Sequence, residues 1–283
     1  MKTGLLSCIL ILISAFGQIA LAGPHSLNFG VFEESYPASS NNWFDGGAPR
    51  AHGASITYSY DQLEDRNWSH LDSFYLSFNA TLKWEDDAQL YDTDRVATSA
   101  AADIIVLFPI SNQYSDLITS MILGFEIEEN GPQINDQHYV GHTGIQLEKI
   151  FGTRIGEFIV KGAVEYATYS YEVDDEPALQ QTRSPRELLG HEGHGSLIRA
   201  DLEYHAGENR FRLLYYRLAA DDDQQSQNGY SKEKYSITWT RKLSNQTQCS
   251  LDYSVISHDY RPVVLAFKDT LHTASASCRY NYR

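Results

Sequence analysis

Residues 73–84 read SFYLSFNATLKW. Phe74, Leu76, Phe78, Ala80, Leu82 and Trp84 fall at every second position, with Ser73, Tyr75, Ser77, Asn79, Thr81 and Lys83 between them. Successive side chains of a strand point to opposite faces, so the pattern predicts a strand that is apolar on one side and polar on the other. The end of the chain repeats it: Ala274, Ala276, Cys278, Tyr280 and Tyr282 alternate with Thr273, Ser275, Ser277, Arg279 and Asn281.

Working outward, the same period recurs at about 54–62, 99–110, 116–127, 137–148, 156–171, 196–205, 209–219, 233–243 and 247–257. A weaker run at 26–33 brings the expectation to twelve strands. In the third, fourth and ninth of these the alternation blurs, because both faces carry Ile, Leu or Tyr. The connections then span about 34–53, 63–72, 85–98, 111–115, 128–136, 149–155, 172–195, 206–208, 220–232, 244–246 and 258–268. In that reading every odd connection is long and every even one is shorter than both its neighbours. An antiparallel meander with its long loops gathered at one end has this form; a Greek-key sandwich does not sort its loops so.

Composition alone points elsewhere. The chain has 283 residues, 37 acidic and 22 basic, and its net charge of −15 argues against nucleic acid, which wants clustered Lys and Arg. A mean hydropathy of −0.39 suits a soluble protein. Strand length and face chemistry overrule that average. The expected strands run longer than the five or six residues usual in soluble sheets, and a tilted membrane-crossing strand needs about 9–11. The polar faces carry Lys83, Asp103, Glu126, Glu165, Arg199, Asp201, Glu203, Asp252 and Arg279. A soluble barrel of twelve strands would have to fill a wide interior with the apolar face. Turning that face outward to lipid and the charges inward satisfies both. The expected fold is therefore all-β: a twelve-stranded antiparallel up-and-down transmembrane β-barrel over 23–283.

Residues 1–22, MKTGLLSCILILISAFGQIALA, have one early cation at Lys2, an apolar run, and Ala20-Leu21-Ala22 before Gly23. That is the build of a secretory signal peptide. Cys249 and Cys278 both lie on apolar faces of the last two expected strands. A symmetric hairpin about 263–264 sets them opposite, and an oxidising periplasm permits a disulfide there.

With these features the chain resembles a Gram-negative outer-membrane β-barrel, either the solitary autotransporter type or a small channel. Ser275, Tyr280 and Tyr282 are similar to the C-terminal assembly signal of that class; Ser277 replaces its usual Gly, and Arg283 trails the last aromatic. The resemblance implies periplasmic termini, folding by the barrel-assembly machinery, and a setting among outer-membrane lipids and lipopolysaccharide.

Three groups of residues invite chemistry. Glu126, His138, His142, Lys161, Glu165, Arg199, Asp201, Glu203, His205, Arg212 and Asp252 are expected to project into the lumen. Their mixed signs suit either a water-filled pore for small solutes or a lumen closed by ion pairs. His191-Glu192-Gly193-His194-Gly195-Ser196 is read as part of the long seventh loop. His194 and Ser196, with Asn209, superficially resemble the catalytic set of outer-membrane phospholipases, and a nucleophilic Ser does need a base and an orienting group. Asn209 falls at the opposite end of its strand, so a lipid hydrolase is the rival reading. His191 and His194, with Glu192 and the acids Asp174, Asp175 and Glu176, fall short of the fixed ligands that a metal site requires. Glu85-Asp86-Asp87 and Asp221-Asp222-Asp223 complete three acidic runs expected in loops at one end. The favoured function is a non-catalytic barrel, a small-solute channel or surface barrel, with no cofactor, no metal and no nucleic acid. Adhesion through the 34–53 and 172–195 loops is a further alternative.

Overall fold

Twelve antiparallel strands close on themselves in the computed structural model. They are β1 (His25–Ser35), β2 (Arg50–Asp61), β3 (Phe74–Asp87), β4 (Thr93–Pro109), β5 (Leu117–Gly131) and β6 (Asp136–Gly152), followed by β7 (Glu157–Val173), β8 (His191–Ala206), β9 (Asn209–Asp222), β10 (Gly229–Lys242), β11 (Thr247–Tyr260) and β12 (Phe267–Tyr282). Each pairs with its neighbours in sequence, and β1 pairs with β12 from His25↔Tyr282 to Ser35↔His272. No strand is left with an unpaired edge, which is what a hydrocarbon surrounding requires of a sheet. The structure describes residues 25–35, 50–61, 74–87, 93–109, 117–131, 136–173, 191–222, 229–260 and 267–282.

The register assigns every strand an inner and an outer face, and exposure says which is which. In β7, Val164 and Tyr166 are 65% and 53% exposed, while Glu165 between them is 2% exposed. The same sidedness runs round the barrel: Phe29, Val31, Leu82, Met121, Leu123, Ile145, Leu213, Ile237 and Leu251 all stand exposed on the outside. A continuous apolar belt of this size is unsuited to water and matched to lipid tails. The protein is therefore a twelve-stranded transmembrane β-barrel. Over the small residues of β10, β11, β12 and β1 the belt sinks into a groove of about 510 Å³.

Tight turns join several strands at the end that holds the termini. Ala206-Gly207-Glu208-Asn209 turns with Gly207 at φ 59°, a left-handed conformation that favours glycine. At 153–156, Thr153 N–H donates to Gly156 O at 2.8 Å, and its hydroxyl donates there at 2.7 Å. Between Lys242 and Thr247, the Ser244 hydroxyl accepts from the backbone of Gln246 and Thr247.

Three expectations change. The strict alternation of loop lengths fails at the second, fourth and sixth connections: 62–73 exceeds 88–92, 110–116 exceeds both 88–92 and 132–135, and 153–156 only equals 132–135. Glu85-Asp86-Asp87 is the last turn of pleat in β3, not loop, because pairing with β4 continues to Asp87↔Thr93. Asp221 and Asp222 likewise end β9, and the 191–196 segment opens β8. Its glycines suggested a loop. In fact Gly193 and Gly195 are strand positions opposite Tyr169 and Ala167 on the inner face, and an added Cβ on Gly195 would overlap the Ala219 carbonyl. Asp174, Asp175 and Glu176, and the signal segment 1–22, lie outside the described residues.

Candidate functional site

Inside the barrel the register sorts the inward side chains into two unlike walls. From β5 to β9 they are long and charged or large and apolar. From β10 through β12 and β1 to β3 they are mostly Ser, Thr, Asn and Gly, for example Ser236, Thr238, Ser250, Ser277, Asn28, Gly30, Thr57 and Asn79.

The β5–β9 wall is built in tiers. At the level nearest the odd connections, Tyr169 of β7 stacks on Tyr230 of β10 at 4.6 Å, and Val140, Ala167, Leu197, Leu218 and Ala220 pack around them. Tyr169 Oη also lies 3.2 Å from His138 Nδ1. In the middle tier, Arg199 of β8 donates to Glu165 through Nε at 2.7 Å and Nη2 at 2.9 Å. The same guanidinium reaches Asp103 on β4 at 3.3 Å, crossing the lumen rather than bonding a neighbouring strand. His142 sits between these acids, its Nδ1 donating to Glu165 Oε2 at 2.6 Å and its Nε2 3.5 Å from Asp103. Tyr216 donates to Glu126 across the same space at 3.4 Å.

Gly124 makes this tier possible. It stands in register between Asp103 and His142, and a Cβ there would overlap both side chains. Gly53 does the same in the opposite wall, leaving room for Phe32, whose ring lies under Lys83 Nζ at 4.3 Å. Lys83 in turn donates to Glu34 at 2.5 Å.

The lowest tier gathers cations around two buried acids. Glu203 receives Lys161 at 3.3 Å, His205 at 3.0 Å and Arg210 at 2.8 Å, and Asp201 receives Arg212 at 2.6 Å. Burying Glu203 is tolerable because it has several charge-assisted partners, whereas Asp201 takes its bonds from Arg212 on one oxygen, Oδ2. Asp252, on β11, accepts from Thr238 at 2.7 Å.

All eleven residues expected in the lumen stand on the inward face. Ten of them line the β5–β9 wall, and Asp252 alone belongs to the other. Tyr169, Tyr216 and Arg210 join them without having been singled out, and so do Asp103 and Arg279, which the sequence placed on the polar faces but not among the lumen groups. Parity alone would have found Arg210, which is two positions from Arg212, but cross-lumen pairing leaves no local mark. The tyrosines also divide: Tyr166, Tyr235, Tyr253 and Tyr280 face outward, whereas Tyr169, Tyr216 and Tyr230 are buried inside.

The His194/Ser196 set does not assemble. Both residues are exposed on the outer face of β8, and Ser196 is in register with Ala219. Asn209 starts β9 ten residues below that level, about 33 Å away at strand rise, where its side-chain Oδ1 accepts from Trp239 Nε1 at 3.2 Å. His194 is exposed on the outer face of β8, and His191 opens the same strand three residues before it. Cys249 and Cys278 are in register on the outer face of β11 and β12, and their sulfurs lie 2.06 Å apart. Ser275 has lumen parity; Tyr280 faces outward, and Tyr282 pairs with His25 at the closing seam.

No family model and no curated protein matches the chain. Among solved structures it is similar to the KdgM porin in complex with disordered oligogalacturonate, at 9% identity, covering 91% of this chain and 99% of that one with a TM-score of 0.44. It is similar also to the translocator domain of the autotransporter NalP from Neisseria meningitidis (9%, 99% and 97%, TM-score 0.43). An outer membrane channel from Pseudomonas putida F1 aligns at 10% identity over 92% and 96% of the two chains, with a TM-score of 0.49.

Proposed function

We propose that this chain is an outer-membrane channel that passes small hydrophilic solutes without catalysis, along the β10–β3 side of its lumen. One observation carries the reading: most of the long side chains that fill the interior stand on β5–β9, joined by Tyr230, Lys232 and Lys234 of β10, and they face a wall made mostly of short hydroxyl and amide side chains. Such groups are too short to cross a twelve-stranded barrel and they hydrogen-bond readily to water and to polar solutes. Mixed charge that is already paired across the β5–β9 wall would hold the barrel's shape rather than move with a passing solute.

In this reading residues 1–22 direct export and are removed after Ala22, both termini face the periplasm, and the odd connections lie outside. Ser275, Tyr280 and Tyr282 serve recognition by the barrel-assembly machinery, and the outer belt contacts membrane lipid and lipopolysaccharide. Planar-bilayer recordings of the refolded mature chain test the function. Discrete conductance steps are expected; conductance no greater than that of the lipid alone would overturn it. A Ser196→Ala variant should leave any lipid hydrolysis measured in detergent unchanged.

A further inference from the structure

Between the two walls, at the end that holds the termini, lies a cavity of about 180 Å³. That is space for roughly six waters at liquid density. Arg210, Arg212 and Arg279 line it together with neutral groups, among them Thr238, Thr240, Gln248 and Asn28. Among the described residues of this lining there is no carboxylate.

We propose that this cavity is a subsite for small hydrophilic oxyanions, the carboxylate or phosphate group of a passing solute, and that it makes the channel anion-selective. As a selectivity element it rests on the channel reading; as a binding site it does not.

The charge asymmetry is built by burial. Arg212 and Arg210 are paired with Asp201 and Glu203, yet the side chains of those acids are only 8% and 2% exposed while the guanidinium side chains are 40% and 32% exposed. The acids stand behind the arginines, so a solute in the cavity meets guanidinium first. Each guanidinium carries five N–H donors in a planar fork, more than one carboxylate oxygen engages. Arg279 adds a third positive charge from the opposite wall. Its in-register neighbours, Asn28 and Gln248, are neutral, and its Nε donates to the Ser26 hydroxyl at 2.7 Å. Three guanidinium groups converging from β9 and β12 offer bidentate geometry to a planar carboxylate or a phosphate. The hydroxyl and amide groups between them suit the remaining polar atoms of the same solute. Asp252, two positions from Ser250 in the light wall, is held by Thr238 and is not among the described lining residues.

The test uses the refolded mature chain in two settings. In detergent micelles, calorimetric binding of gluconate and of inorganic phosphate is compared with that of glucose, which is neutral and similar in size to gluconate. Across planar bilayers, the reversal potential is read under a potassium chloride gradient. Gluconate or phosphate should bind where glucose does not, and which of the two binds more tightly tells the source of the oxyanion. The reversal potential should lie on the anion side. Arg279→Gln, which removes the cation supplied from the opposite wall, should weaken gluconate binding by about threefold, the worth of a partly exposed charge contact, and move the potential toward cations. The double variant Arg210→Gln/Arg212→Gln should weaken it further. Because that variant strips partners from buried acids, its fold is checked by gel mobility before heating, and Arg279→Gln decides if it fails. Gluconate and phosphate binding no better than glucose, or a cation-side potential unmoved by Arg279→Gln, overturns the proposal. Absence of conductance with gluconate binding intact would remove the channel and keep the subsite.

Discussion

The two walls of this barrel solve the same problem in different ways. Strands β5 to β9 fill their share of the lumen with an ionic and aromatic lattice that reaches across to β4 and β10. Strands β10 to β3 leave theirs lined by short polar groups, with the Phe32–Lys83–Glu34 contact as one exception. The lattice side also has tall strands, β6 and β7 at 17 residues each, against 11 and 12 in β1 and β2. What ties the light side is local: adjacent-strand hydroxyl pairs such as Thr57–Thr81 at 2.9 Å and Thr240–Ser250 at 2.8 Å, and the Cys249–Cys278 bridge outside. The contrast teaches that a barrel of intermediate size need not be uniformly filled or uniformly open. In the channel proposed above, one wall supplies rigidity and leaves the other free for traffic.

The sharpest way to break the comparison is Arg199→Met. It strands Glu165, whose side chain has no exposure, together with Asp103, and should cost about 3–5 kcal/mol, the penalty for halving a buried ion pair. Thermal unfolding in detergent, followed by gel mobility, measures it. If the loss is no larger than for a light-wall residue, the lattice is not what holds the barrel. On the light side the largest effect belongs to the disulfide. Cys249→Ser should cost about 2–4 kcal/mol, within the usual range for a bridge closing a loop of this length. Thiol labelling under denaturing, non-reducing conditions should find neither cysteine reactive, and two free thiols would remove the bridge.

Gly124→Ala comes next. Its Cβ has to displace Asp103 or His142, for a loss of about 1–3 kcal/mol. The smallest effect on stability should come from Thr57→Val, which removes one solvated hydroxyl contact and should stay within about 1 kcal/mol of the parent. The same wall should be sensitive in another way: Ser277→Trp should lower single-channel conductance with little change in unfolding temperature. Unchanged conductance would place the path elsewhere.

Much of this was written in the period of the sequence. Alternation in 73–84 and its eleven counterparts located every strand to within a few residues at most ends, because a strand that divides lipid from water must alternate. The same parity put Glu165, Arg199 and Glu203 on the inner face. Even the blurred alternation carried information. The extra apolar residues of the fourth and ninth strands include Ile105, Tyr216 and Leu218, and all three are buried inside the lumen. Parity failed where strand and loop share a composition. Gly193 and Gly195 looked like loop residues, yet they are strand positions, and at Gly195 the strand passes close to the backbone of β9.

By itself, then, the sequence determined the strand count, the antiparallel meander, which face meets lipid and which residues point inward. These follow from a period of two and from the cost of unpaired backbone in hydrocarbon, both of which are local. Only the closed barrel decided who meets whom inside it. Arg199 and Asp103 are 96 residues apart, Tyr216 and Glu126 are 90 apart, and the arginines of the polar cavity come from β9 and β12. Contacts across a lumen depend on barrel curvature and on the reach of each side chain. No window of sequence encodes either.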